Sequence, residues 1–121
     1  MFNSQKNLYK KFLGAKGELI AENFLIKKGY KILQKNYRQK FGEIDIIASK
    51  EDVINFIEVK TRSNVKYGTP AEAVNYDKQR RYREGAIYYL LTNNLSQTDT
   101  QISFGIIEIL GDEINFIENA F

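Results

Sequence analysis

Two β-rich segments joined by a very short polar connection constrain this chain more than anything else in it. Residues 43–49 (EIDIIAS) and 53–61 (VINFIEVKT) are rich in β-branched side chains, and only Lys50-Glu51-Asp52 separates them. Such segments read as strands and such a connection as a tight turn, so the two form an antiparallel hairpin. With Glu51 and Asp52 as the turn residues, Lys50 pairs with Val53, Ile47 faces Phe56, Asp45 faces Glu58 and Glu43 faces Lys60. Side chains alternate along a strand, so these pairs share one face. A slip of two residues would leave Asp45 and Glu58 as diagonal neighbours.

Around the hairpin the chain reads as helix, three strands, helix, two strands: a mixed sheet with helices packed on it, in one domain spanning residues 1–121. The first helix is expected over residues 5–28, ended by Gly29 at the position just past the helix. Leu8, Phe12, Ala15, Leu19 and Ile26 make one apolar stripe on it. Gly14, Gly17, Ala21 and Leu25 make a second, mostly small one. Small residues let a helix come close to a sheet, and Glu18 lies within that stripe. Residues 30–37 form the first strand. After a loop over residues 62–68, Thr69-Pro70-Ala71-Glu72 is a capping box with Thr69 as N-cap, starting a second helix that runs to about Leu91. Strands over residues 102–110 and 113–117 turn at Gly111-Asp112.

The chemistry available is narrow. The chain has no Cys and no His. Disulfides, Cys or His metal sites and His-based nucleophile systems are excluded, so catalysis would run on carboxylates, Lys, Arg, Tyr, Ser or Thr. Two facing carboxylates such as Asp45 and Glu58, with Cβ atoms about 4.5–5.5 Å apart, repel each other and destabilise a hairpin unless something compensates. Mg²⁺, which takes one or two carboxylates plus water and phosphate oxygens, is a natural answer. Lys60, on the same face, is placed to orient or deprotonate an attacking water or to stabilise charge on a phosphate. Val59 and Ile57 point the other way, into the core. On spacing alone the same three residues also suit the solvated face of an amphipathic hairpin.

Longer stretches narrow the choice. G-A-K-G-E-L-I-A in the first helix, G-Y-K-I-L and N-Y-R in the first strand, then G-E-I-D-I-I-A, F-I-E-V-K-T-R, Y-G-T-P-A-E-A-V, K-Q-R-R and the final Asn119-Ala120-Phe121 together resemble the UPF0102 (YraN-like) family of small bacterial proteins. That family is similar to archaeal Holliday junction resolvases and, by resemblance, to the PD-(D/E)xK nuclease superfamily. The resemblance implies an α/β, restriction-endonuclease-like fold, a mixed β-sheet flanked by helices in the order α-β-β-β-α-β-β. It implies metal binding by Asp45 and Glu58, a role for Lys60 on the water, and Glu18 as a further or outer metal ligand. One departure is Gly105, where the family usually carries Asp.

The function expected on this basis is Mg²⁺- or Mn²⁺-dependent, endonuclease-like hydrolysis of DNA, branched or damaged. The alternative is a nucleic-acid-binding module of the same fold that does not cut. Nucleic-acid contacts are expected from Arg62, at the end of the Glu58–Lys60 strand, and from Lys78 and Arg81 in a basic cluster on the second helix. Lys78 is four residues from both Val74 and Tyr82 and should lean inward, whereas Arg80 and Arg83 suit a solvated face. Tyr88, Tyr89, Leu90 and Leu91 belong to the core or to a homodimer contact. The net charge of +3 is compatible with a polyanionic partner. No apolar run approaches the roughly 20 residues that cross a bilayer, so no membrane partner and a cytoplasmic location are expected.

Overall fold

The structure, a computed structural model, describes residues 2–62 and 74–121, with side chains described from residue 13 onward. The elements are α1 (Phe2–Lys27), β1 (Lys31–Gln39), β2 (Gly42–Lys50), β3 (Val53–Arg62), α2 (Tyr76–Thr92), β4 (Gln101–Leu110) and β5 (Glu113–Ile117). The strands form one five-stranded sheet in sequence order. All neighbours are antiparallel except β3 and β4, which run parallel with α2 as the crossover. This is the mixed α/β sheet, in the expected element order.

Local chemistry explains the joints. The Lys50–Val53 pair closes the hairpin, and Glu51 and Asp52 both take positive φ, 51° and 65°, as a two-residue hairpin turn requires. At the end of α1 the Tyr30 N–H donates to the Leu25 carbonyl and the Gly29 N–H to the Ile26 carbonyl, both at 3.0 Å. Gly29 has φ 91°, so this is a Schellman ending built on glycine. α2 departs from expectation. It starts at Tyr76, because the Asn75 side chain accepts the Lys78 N–H at 2.9 Å and caps it. The expected capping box at Thr69 to Glu72 and most of the loop before it lie outside the described residues.

The two faces of the sheet are both covered. On one, Ala21 and Leu25 of α1 pack with Ile46, Ala48, Ile57, Ile107 and Ile109. On the other, Tyr82, Ala86, Tyr89 and Leu90 of α2 pack with Tyr37, Ile44, Ile47 and Phe56. The small stripe of α1 therefore meets the sheet. A Cβ at Gly17 would lie 2.3 Å from the Thr61 hydroxyl oxygen. Of the other stripe, Leu19 and Ile26 are more than half exposed and Ala15 is exposed, so its described members do not face the core. The reason is closeness: the sheet takes the side on which the helix axis can approach furthest. No helix among the described residues is long and apolar enough to cross a membrane.

Candidate metal centre

Strands β2 and β3 follow the expected register from Lys50–Val53 to Ile46–Ile57. Beyond that point the ladder changes. Asp45 does not lie flat across from Glu58; its Oδ2 accepts the Val59 N–H at 2.8 Å. The side-chain alternation also breaks here, since Ile44 packs on the α2 side and Ile46 on the α1 side. On β1, Asn36 lies between the Lys35–Ile46 and Tyr37–Ile44 pairs and takes φ 51°. Asparagine adopts this left-handed region more readily than most residues. With its amide nitrogen toward the acids, Asn36 donates to Glu18 at 3.0 and 3.2 Å and to Glu43 at 3.0 Å.

Glu58 is only 4% exposed. The alternative of a solvated hairpin face does not describe Glu58: β3 is central, and α2 covers the side that carries Phe56 and Glu58. Two α2 side chains one turn apart hold the carboxylate. Lys78 Nζ donates to Oε1 at 2.6 Å, and the Tyr82 hydroxyl donates to Oε2. The Tyr82 oxygen also accepts the Asp45 backbone N–H at 3.4 Å, which ties both acids to one ring. Phe121 packs edge-on against Tyr82 and stacks on Phe104, and the Ala120 N–H donates to the Phe104 carbonyl at 2.7 Å. Lys60 Nζ lies 3.5 Å from Glu58 Oε1.

The electrostatics follow from burial. Burial, then the Glu58 charge, push the Asp45 carboxyl up to about 7, with Glu18 adding to the effect and the Val59 N–H and Lys78 opposing it. Burial also raises Glu18, with Glu43 and Glu58 adding to it and Asn36 opposing. Burial, with the charges of Glu58 and Asp45, raises the Tyr82 phenol well above its usual value. Acids this close and this poorly solvated fit a divalent cation in charge and in donor chemistry. Among the described residues, however, no three acidic side chains converge closely enough to surround one ion. Glu18 is turned toward Asn36, and Glu58 toward Lys78 and Tyr82. The fit is to the Asp45–Glu58 pair, with Glu18 beside it.

Asp45 and Glu58 line two adjoining clefts. One, of about 350 Å³, includes Lys78, Arg81 and Tyr82 in its wall; the other, of about 360 Å³, includes Glu18 and Thr61. A larger cavity of about 510 Å³, near Tyr30 and Glu118, contains none of these groups. Lys78 leans inward as its helical position implies. Arg81 lines the cleft and pairs with Asp77 at 2.9 Å. Arg62, expected at a substrate phosphate, has its Nε 3.3 Å from Glu108 on β4, and both side chains are under a tenth exposed. The hairpin pattern could not show which strand would lie beside β3. Gly105 is buried, and a Cβ there would lie 2.9 Å from the Phe116 ring. Phe116 thus fills the space an aspartate side chain would enter, on the Ile57 side of the sheet.

Sequence reasoning missed Tyr82 and Asn36 as parts of the site. The available signals were the four-residue spacing of Tyr82 from Lys78 and the place of Asn36 in the N-Y-R stretch.

A family model described as "Uncharacterised protein family UPF0102" matches residues 17–109. A UPF0102 protein of Clostridioides difficile is 52% identical over 107 residues, covering 87% of this chain and 92% of that protein. Another, from Alkaliphilus oremlandii, is 50% identical over 115 residues, covering 92% and 98%. A third, from Caldanaerobacter subterraneus subsp. tengcongensis, is 44% identical over 123 residues, covering 96% and 99%.

Proposed function

The chain belongs to the uncharacterised protein family UPF0102, and from that premise we propose that it is a metal-dependent hydrolase of phosphodiester bonds in nucleic acid. The observation that carries this reading is the Asp45–Glu58 pair: two poorly solvated acids at the junction of two clefts, one of them held near neutrality by burial and by the other's charge. A site that only stabilised the fold gains nothing from that repulsion. The order Asp45, then Glu58-Val59-Lys60, resembles the PD-(D/E)xK pattern and supports the same assignment.

Asp45 and Glu58 would hold Mg²⁺ or Mn²⁺, with Glu18 as a further or outer ligand. The ion would supply neutralisation of charge on phosphate oxygens and acidify a bound water. Lys60 would orient the attacking water or take its proton. Lys78 and Arg81, in the cleft wall, would receive the phosphate backbone and position it. DNA, branched or damaged, is the substrate class suggested by the similarity to archaeal Holliday junction resolvases.

A second reading is favoured by one observation, the existing partnership of Glu58 with Lys78 and Tyr82. In that reading the chain binds nucleic acid without cutting it. Calorimetric titration with Mg²⁺ and Mn²⁺ separates the two. Wild type is expected to bind and Asp45→Ala to lose binding, with metal-dependent cleavage of branched or linear DNA by wild type alone. Absence of metal binding at millimolar concentration with DNA present would leave the binding module as the reading.

A further inference from the structure

Glu58 is fully engaged before any ion arrives. Its Oε1 takes Lys78 at 2.6 Å with Lys60 at 3.5 Å, and its Oε2 takes the Tyr82 hydroxyl. Lys78 and Tyr82 are four residues apart on α2, so one helix face delivers both donors. They differ in freedom. Tyr82 is 1% exposed and braced by Phe121. The Lys78 side chain is 38% exposed, and its stem runs along an open cleft.

We infer that Lys78 is the resident counter-ion of the acidic pair, that a divalent cation binds by exchanging with it, and that Tyr82 stays behind as the positioning residue that keeps Glu58 aimed. The inference rests on the metal reading above. At 2.6 Å the Lys78 ammonium holds the place on Glu58 Oε1 that a divalent cation would take, whereas Lys60 stands off at 3.5 Å, and like charges at the closer separation repel strongly in a partly buried site. An unpaired carboxylate that deep is costly, so exchange, rather than simple vacancy, keeps the site compensated at every stage. The released ammonium remains in the cleft that Arg81 also lines. Lys78 therefore changes partner, from Glu58 in the metal-free chain to a substrate phosphate in the metal-bound one. Metal and polyanion binding are then coupled, each strengthening the other.

The test is calorimetric titration of wild type and Lys78→Met with Mn²⁺. Methionine keeps most of the stem and removes the charge. The variant is expected to bind about tenfold more tightly, the scale of one nearby like charge removed. Equal or weaker affinity in the variant overturns the exchange and leaves the metal site standing. No binding by either chain overturns the metal reading itself, and the exchange with it. Should Lys78→Met fail to fold, side-chain NMR of the lysine ammonium groups in wild type gives the answer. The Lys78 signal is expected to move as Mg²⁺ saturates, and a signal that stays fixed while Mg²⁺ binds overturns the exchange.

Discussion

Asp45 and Glu58 lie side by side, yet their surroundings differ: among the described residues Glu58 has two lysines and a phenol, while Asp45 takes a single backbone N–H from Val59. Burial, then the Glu58 charge, raise its carboxyl from 3.8 to about 7, against the opposing Val59 N–H. The folded chain therefore binds more protons than the unfolded chain between those two values. Stability falls as pH rises through that window, and the penalty is complete above about 7. Asp45→Asn keeps an oxygen for the Val59 N–H and removes the charge. With chelator present, this variant is expected to be more stable than wild type at pH 8, by on the order of 2 kcal/mol, and to lose the advantage near pH 4. Urea unfolding at both pH values checks it, and a variant less stable at pH 8 would show that Asp45 is not strained. At this scale the sequence exposed much of the candidate site. Glu58 and Lys60 share a face by strand alternation and the inward lean of Lys78 followed from helical spacing, whereas Asp45 meets Glu58 through a break in alternation between Ile44 and Ile46 that the pattern did not show. Tyr82 and Asn36 did not follow, because each acts across a gap between elements, and neither residue type announces a partner. The contact of Arg62 with Glu108 was hidden for the same reason, since Glu108 comes from a strand far along the chain.

Strands were more legible than helix surfaces. The β2–β3 register followed from a two-residue turn and a period of two, and nothing competing opposed it. Helix α1 offered two apolar stripes, and only contact with the sheet decides between them. The sheet chose the glycine side, which also brings Glu18 to the cleft that Asp45 lines. The start of α2 was misplaced because Thr69 and Asn75 are both good caps, and local sequence does not rank them. The close approach of α1 has a measurable consequence. Gly17→Val would place its Cβ against the Thr61 hydroxyl, 2.3 Å away on the unrelaxed backbone. Overpacking of this kind costs about 1–3 kcal/mol, beyond any gain in helix propensity. Thr61→Ala should recover part of the loss in a double-mutant cycle followed by urea unfolding. Purely additive effects would mean that the helix does not press on Thr61.

A net charge of only +3 makes the distribution of charge over the molecule matter more than its total. Among the described residues, Lys78 and Arg81 border the cleft at the acidic pair, and Arg81 continues into an adjoining cleft with Lys40 and Arg80. These four cations make a short path leading to Asp45 and Glu58. Asp77 tempers it by pairing with Arg80 and Arg81, so a polyanion must compete with an existing acid. Binding should then be modest and strongly salt-dependent. Four phosphate contacts correspond to a slope of log K against log salt of about −3.6 on duplex DNA, and partial competition from Asp77 brings it nearer to about −2. Fluorescence anisotropy of a labelled duplex, titrated across salt with Asp45→Asn to prevent cutting, measures that slope. Arg81→Ala should reduce its magnitude by about 1, whereas Arg83→Ala, on the same helix but outside both clefts, should leave it unchanged. Equal effects from the two arginines would mean that charge in general, rather than this path, draws the polyanion. A flat dependence would remove nucleic acid as the partner of the clefts and leave the acidic pair in need of a different substrate.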